Sequence, residues 1–195
     1  MAPGMLTDSL RMVVLAGLAA LLPWAGSAAE PGAEPIQSSF MRTMIVVRDL
    51  EASKRFYTYA FGFRVERELD LVDAVTKAQL GIPMSRKARF ALLVNDAVIG
   101  GQKRPSASVG LLQLDDPPSV PLSRPANEVL AIGEHVMALR TNHMPAVIAR
   151  LKELTARFAI EPVITPDGKA IEIAVYDPDG LRIHVVQRPD SPRDF

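Results

Sequence analysis

The order of secondary structure elements expected from the sequence repeats on either side of a proline-rich connector. The connector runs from Asp116-Pro117-Pro118 to Arg124-Pro125. Before it and after it, the spacing of apolar residues indicates a strand, then a helix, and then three more strands. A chain of this length forms one well-buried domain more readily than two. The repeat therefore predicts an α+β domain built from two βαβββ modules.

In the first module, the β-rich run 43–47 is the first predicted strand. Asp49 is placed to cap the helix that follows, and Gly62 to end it. An inserted helix is expected at 73–80. The other three strands are predicted at 63–67, 89–94 and 109–114.

The second module repeats this order. A strand is expected at 135–140 and a helix at 144–157, with Pro145 in the first turn of the helix. Three strands are then predicted at 163–164, 171–176 and 181–187, and Asp177-Pro178-Asp179-Gly180 forms the turn between the last two. His143, at the start of the helix, is interpreted as a capping or solvated residue.

The first thirty residues have the pattern of a signal peptide. Arg11 precedes the uncharged apolar run 12–22, and the small residues 25–29 follow. The run is shorter than the ~20 apolar residues that a membrane-spanning helix needs. We therefore expect a signal peptide at 1–29, a linker at 30–40, and a periplasmic or secreted protein with no stable membrane insertion after cleavage. The polar tail 189–195 is predicted to be disordered.

Composition narrows the class of partner. Lys and Arg together number 22, as do Asp and Glu, so the net charge is zero and a nucleic-acid partner is not expected. A small-molecule ligand is the expected partner. The chain has no cysteine, which excludes disulfides, thiolate metal sites and cysteine nucleophiles. Any metal ligand has to be a histidine, a carboxylate or an amide.

Two stretches of sequence resemble one known superfamily. Residues 42–57, followed by Phe61-Gly62-Phe63, resemble the first strand and helix of the vicinal oxygen chelate superfamily, and 177–184 resembles its final hairpin, with Leu181 where Asn or an aromatic residue is usual. The resemblance covers 41–187. It implies a domain at 41–188, made of modules 41–116 and 130–188, in which a curved mixed sheet surrounds a cleft.

The resemblance also implies a set of metal ligands, one from the first and one from the last strand of each module. Gln113, His135 and His184 occupy three of these positions, and Arg42 occupies the fourth, where the family usually has His or Gln. The metal would be zinc, nickel, manganese or iron. Because arginine cannot coordinate a cation, a metal-free site is the open alternative. No organic cofactor is expected.

Strand alternation suggests which other side chains join the site. Arg42, Met44 and Val46 share one face of the first strand, and His135, Met137 and Leu139 share one face of the fifth. Arg42, Met44 and Met137 are therefore predicted to bind substrate. Glu172 is the candidate catalytic carboxylate if its strand turns it into the cleft.

Two functions follow from the resemblance. The first is a metal-assisted isomerase or lyase of the glyoxalase type, acting on a small molecule with neighbouring oxygens. The second is a metal-free small-molecule binding protein of the bleomycin-resistance kind. A dioxygenase would require Glu172 as a third ligand, and a purely structural role stays open. The cleft is completed either within one chain or across a homodimer.

Overall fold

The structure is a computed structural model that describes residues 40–96, 98–99, 102–103, 108–116, 130 and 133–188. The predicted signal peptide, nearly all of the linker, most of the connector and the tail 189–195 lie outside the described residues. Within the described ranges, no helix has the length and hydropathy needed to span a bilayer.

The first module is a four-stranded mixed sheet with one helix on its face. The strand order is β1-β6-β3-β2, and β1 runs parallel to β6. The predicted inserted helix is present, and a short β4-β5 hairpin that was not predicted precedes β6. The elements are β1 (Arg42–Val47), α1 (Leu50–Phe61), β2 (Arg64–Asp70), α2 (Ala74–Gln79), β3 (Ala88–Val94), β4 (Val98–Ile99), β5 (Gln102–Lys103) and β6 (Ser108–Leu114).

The second module repeats this plan. Its strand order is β7-β10-β9-β8, with β7 parallel to β10, so both sheets share one topology. The predicted α+β fold of paired βαβββ modules is confirmed. The strand expected at 163–164 is longer than predicted. The elements are β7 (Val136–Arg140), α3 (Met144–Glu153), β8 (Phe158–Ile164), β9 (Ile171–Tyr176) and β10 (Arg182–Gln187).

Side chains cap the two long helices as the sequence predicts. The Asp49 carboxylate accepts hydrogen bonds from the backbone N–H groups of Glu51, at 2.9 Å, and Ala52, at 3.0 Å. Gly62 ends α1 in the left-handed conformation, with φ of 72°. At α3, Nδ1 of His143 accepts from the Ala146 N–H at 3.2 Å, which confirms the capping role of this histidine.

The main core lies on the helix side of both sheets. Leu50 and Tyr57 of α1, Leu151 of α3 and Ile183 of β10 are fully buried within it. Because α1 and α3 contribute to the same cluster, one continuous core joins the modules. The faces of the two sheets that point away from this core are therefore the candidate binding faces.

In the first module, the face away from α1 is covered by the chain itself. Phe90 and Leu112 on this face pack with Leu71 and Ile82, which flank α2, and Met44 packs against the same cluster. The inserted segment thus fills the first sheet's open face with apolar side chains. The corresponding face of the second sheet carries polar side chains, among them Glu172 and His184.

Gly110 on β6 allows this packing. An added Cβ would lie 2.8 Å from Met44 Sδ and 2.8 Å from Phe90 Cε2. Because both contacts are side-chain atoms that can shift, we expect Gly110→Ala to lower the free energy of unfolding by roughly 1 kcal/mol. Urea denaturation of the variant tests this, with Val75→Ala at an exposed position of α2 as the control. Unchanged stability of the glycine variant would contradict the tight packing.

Candidate functional site

The second sheet brings together a histidine and a glutamate. His184 Nε2 lies 3.3 Å from Glu172 Oε2, and the two residues sit on the adjacent strands β10 and β9. The chain neighbours of His184, Ile183 and Val185, are buried in the helix-side core, so alternation turns His184 to the opposite face. The side chains are 40% and 32% exposed, which leaves both accessible to a solute.

The pair lines a cavity of about 500 Å³, a volume ordinary for small-molecule sites. Two arginines border the same space. Arg140 donates a hydrogen bond from its Nη2 to the Arg188 carbonyl at 2.9 Å, and the Arg188 guanidinium pairs with Asp167 at 2.8 Å. Thr165 adds a hydroxyl to the lining. The cavity therefore combines hydrogen-bond donors, acceptors and a titratable imidazole.

His135 and Met137 lie outside the cavity that His184 and Glu172 line. Met137 is 7% exposed and belongs to the helix-side core, where its register partner on β10 is Ile183. His135 is an exposed residue that directly precedes β7. The register instead pairs Ala138 with His184 on the open face. Neither His135 nor Met137 is among the residues that line the His184 cavity.

Gln113 is committed to the backbone at the start of α1. Its Oε1 accepts from the Leu50 N–H at 3.2 Å, and its Nε2 donates to the Arg48 carbonyl at 3.2 Å. On β6 it alternates with Leu112, which faces the other side of the sheet. Both halves of the amide are thus engaged in positioning the helix.

Arg42 and Met44 share the face of the first sheet that Leu71 and Ile82 cover. The Arg42 guanidinium carbon lies 5.9 Å from the centre of the Phe90 ring, a cation–π contact. Its Nε is buried without a hydrogen-bond partner among the residues that the structure describes. The lining of the His184 cavity includes neither Arg42 nor Met44.

These positions do not fit the metal site that the sequence suggested. A catalytic metal needs about three protein ligands, and the His184–Glu172 pair supplies two. The Gln113 oxygen already accepts a hydrogen bond at the start of α1, and Gln113 and His135 both lie outside the lining of the His184 cavity. Across the described ranges, no three His, Asp or Glu side chains come close enough to share an ion.

The sequence did not identify Arg140, Thr165, Asp167 and Arg188 as site residues. The sequence did contain a signal for Arg140. Met137 and Leu139 are the larger apolar residues near the centre of its strand, and alternation places Arg140 on the face opposite to them. Larger apolar residues usually face a core, which would have turned Arg140 to the cleft side. Arg188 follows the last strand and had no comparable signal.

The fold and site define a protein with paired βαβββ modules and a small-molecule cavity on a sheet face. The family model of the Glyoxalase/Bleomycin resistance protein/Dioxygenase superfamily matches residues 39–185. The chain belongs to this superfamily, and the resemblance read from its sequence is confirmed.

Solved structures support the same fold. A glyoxalase family protein from Bacillus cereus superposes with a TM-score of 0.64 at 18% identity, covering 81% of this chain and 99% of that chain. A glyoxylase/bleomycin resistance protein/dioxygenase domain from Frankia sp. gives 0.53 at 15% identity, covering 78% and 99%.

A glyoxalase I mutant from Zea mays also gives a TM-score of 0.53, at 18% identity over 78% of this chain. The present chain spans only 46% of the length of that maize protein. No curated protein sequence matches the chain. At these identities the likeness concerns the fold alone.

Proposed function

We propose that this protein binds a small, oxygen-bearing molecule in the second-module cavity without the help of a metal. One observation carries the proposal: the His184–Glu172 pair, 3.3 Å apart, faces a cavity of about 500 Å³. Export belongs to the proposal as well and rests on the signal-peptide pattern of 1–29. The exported chain would then begin at Glu30.

The charges of the lining favour a ligand that is neutral or singly charged. Arg140 and Arg188 are balanced by Asp167 and Glu172, and His184 adds one positive charge when it is protonated. A strongly charged ligand would leave part of its charge unpaired in a partly enclosed space. A ligand with hydroxyl and carbonyl groups suits the donors and acceptors of this lining better than a strongly charged one does.

The His184–Glu172 contact also favours a second function, proton transfer. Glu172 Oε2 lies within reach of His184 Nε2, and a hydrogen bond accepted there would fix the ring's tautomer and leave Nδ1 as the base. In this mechanism Glu172 orients His184, and His184 removes a proton from carbon next to a carbonyl. An isomerase or lyase of this kind needs no metal ligand from this chain.

A homodimer is a further part of the proposal. β1 and β7 are edge strands of their sheets, and Val46 on β1 is 50% exposed. An edge with exposed apolar surface is suited to a second copy. Light scattering of the purified protein measures the assembly directly.

Binding can be tested with hydroxyacetone, a neutral probe that has neighbouring oxygens, followed by protein NMR. We expect the amides of Ala138 and Val186 to shift, and His184→Gln to weaken binding about tenfold through loss of one good hydrogen bond. His143→Gln is the matched control, because this histidine caps α3 outside the cavity. Equal affinity of wild type and His184→Gln, or shifts confined to other regions, would contradict the proposal.

Proton transfer has a separate readout. In deuterated water, the wild type would exchange the carbon-bound protons of hydroxyacetone faster than free solution, by the 10²–10⁴-fold typical of general-base catalysis. Glu172→Gln would reduce the exchange rate more than the binding affinity, since it leaves the imidazole in place but unoriented. Exchange at the solution rate would leave the protein as a binder only.

A further inference from the structure

We infer that the first module holds a second binding site, which takes a small organic acid through Lys77. The site is a cavity of about 530 Å³ at the end of β2, the start of β3 and the end of β6, beside Lys77 of α2. Lys77, Lys87 and Arg89 supply its cations, and Leu71, Ala88 and Leu114 supply apolar wall. It shares no lining residue with the His184 cavity.

Lys77 is buried on a segment that exposes its valines. Lys77 is 6% exposed, whereas Val75 on the same helix is 64% exposed and Val72 just before it is 78% exposed. A surface helix ordinarily buries its apolar residues and leaves lysine in water. This reversed pattern shows that the position of the Lys77 ammonium is specified by its surroundings and not by hydrophobic burial.

The ammonium has neutral partners only. Nζ donates to the carbonyls of Arg86, at 2.7 Å, and Met84, at 3.3 Å. An ammonium has three donors, so these bonds leave one unused. Among the described residues, no carboxylate lies within ion-pairing distance of Lys77. A buried charge without a counter-charge is unfavourable, and an anionic ligand would remove that penalty.

The other two cations of the cavity, Arg89 and Lys87, differ in whether a carboxylate already pairs with them. Arg89 is bound to Glu68 at 2.6 Å and Glu51 at 3.1 Å, so its charge is already neutralised. Lys87 is exposed and forms no ion pair in the part of the chain that the structure describes. Lys77 and Lys87 are thus the two cations available to a ligand.

Two acidic residues define the rest of the ligand. Asp70 and Asp115 also line the cavity. Their charges disfavour a multiply charged anion such as phosphate, but each can accept a hydrogen bond from a ligand hydroxyl. The lining therefore fits a monocarboxylate that carries a hydroxyl group, with the carboxylate on Lys77 and the hydroxyl near an aspartate.

Glycolate is the probe that tests this site, with acetate and inorganic phosphate as comparisons. In wild-type protein we expect the Lys77 side-chain NMR signals to shift on titration with glycolate, and glycolate to bind more tightly than acetate or phosphate. This measurement does not depend on any variant folding. The absence of a Lys77 shift would overturn the inference.

Variants add a second test by calorimetry. Lys77→Met keeps the length of the side chain and removes the charge, and we expect it to bind glycolate about tenfold more weakly or not at all. Lys152→Gln, at an exposed position of α3, is the control for the loss of a surface charge. In His184→Gln the Lys77 side-chain NMR signals would still shift with glycolate, which separates this site from the proposed function. Equal binding by Lys77→Met would show that Lys77 serves only to hold the turn at Met84 and Arg86.

Discussion

Replacing Asp177 by alanine is expected to lower the free energy of unfolding by about 3–5 kcal/mol. Asp177 is 5% exposed, and its Oδ2 accepts from the buried Tyr57 hydroxyl at 2.9 Å. Its Oδ1 accepts from the backbone N–H groups of Leu181, at 2.7 Å, and Asp179, at 3.0 Å. Alanine would leave these donors without an acceptor in a region that water does not reach.

Asp177→Asn separates lost hydrogen bonds from lost charge. Asparagine keeps one oxygen for the backbone donors, and its amide can donate to the Tyr57 oxygen, so we expect a smaller loss, about 1–2 kcal/mol. Urea denaturation followed by circular dichroism measures both variants, with Glu161→Ala on exposed β8 as the control. A loss of under about 1 kcal/mol for Asp177→Ala would show that these hydrogen bonds contribute little.

Alkaline pH is expected to reduce the stability of the wild type more steeply than that of Tyr57→Phe. Burial raises the pKa of the Tyr57 phenol well above its ordinary value of 10.0, and the charge of Asp177 raises it further. A group with a raised pKa contributes its full stability below the unfolded-state pKa. That contribution is lost as pH rises from there through the folded-state pKa, at up to ~1.4 kcal/mol per pH unit.

The comparison with phenylalanine isolates this residue from the other tyrosines and the lysines. At neutral pH the wild type should be more stable by about 1–2 kcal/mol, because it keeps the hydrogen bond to Asp177. Above about pH 10 the difference should shrink. Urea denaturation at successive pH values gives the curve, and parallel curves for the two proteins would contradict the predicted titration.

Asp179 extends the same contact region between the modules. Its Oδ1 accepts from the backbone N–H of Arg48 at 3.1 Å and from the Arg48 Nε at 2.9 Å, and its Oδ2 accepts from Ser53 at 3.2 Å. The turn at 177–180 therefore holds the start of α1 in addition to joining β9 to β10. This explains physically why two aspartates stand in that turn.

Local patterns predicted most of the fold. The caps at Asp49 and His143 and the end of α1 at Gly62 depend on neighbouring residues alone, so the sequence was enough to find them. The covering of the first sheet by Leu71 and Ile82 was not predicted. It depends on where the α2 segment packs, which is a long-range contact that periodicity does not encode.

Of the residues predicted for the candidate site, His184 and Glu172 line the cavity, whereas Met137 does not. Ile183 and Val185 on β10, and Leu181 just before it, identify the core face, and the position of His184 on the other face follows from alternation. At the centre of β7 the residues on both faces are apolar, so alternation alone does not decide which face points to the core and which to the cleft. The sequence interpretation placed Met137 towards the cleft. In the structure the Met137 side chain, which is larger than that of its neighbour Ala138, lies in the core.

The contact between Arg48 and Asp179 joins residues 131 positions apart. As the chain leaves the ribosome, the first helix and its sheet are made long before the turn that satisfies Tyr57, Ser53 and Arg48. A nascent chain that stops short of that turn lacks the carboxylate that accepts from the Tyr57 hydroxyl. We therefore expect the two modules to complete their folding together, more slowly than a structure held by local contacts alone.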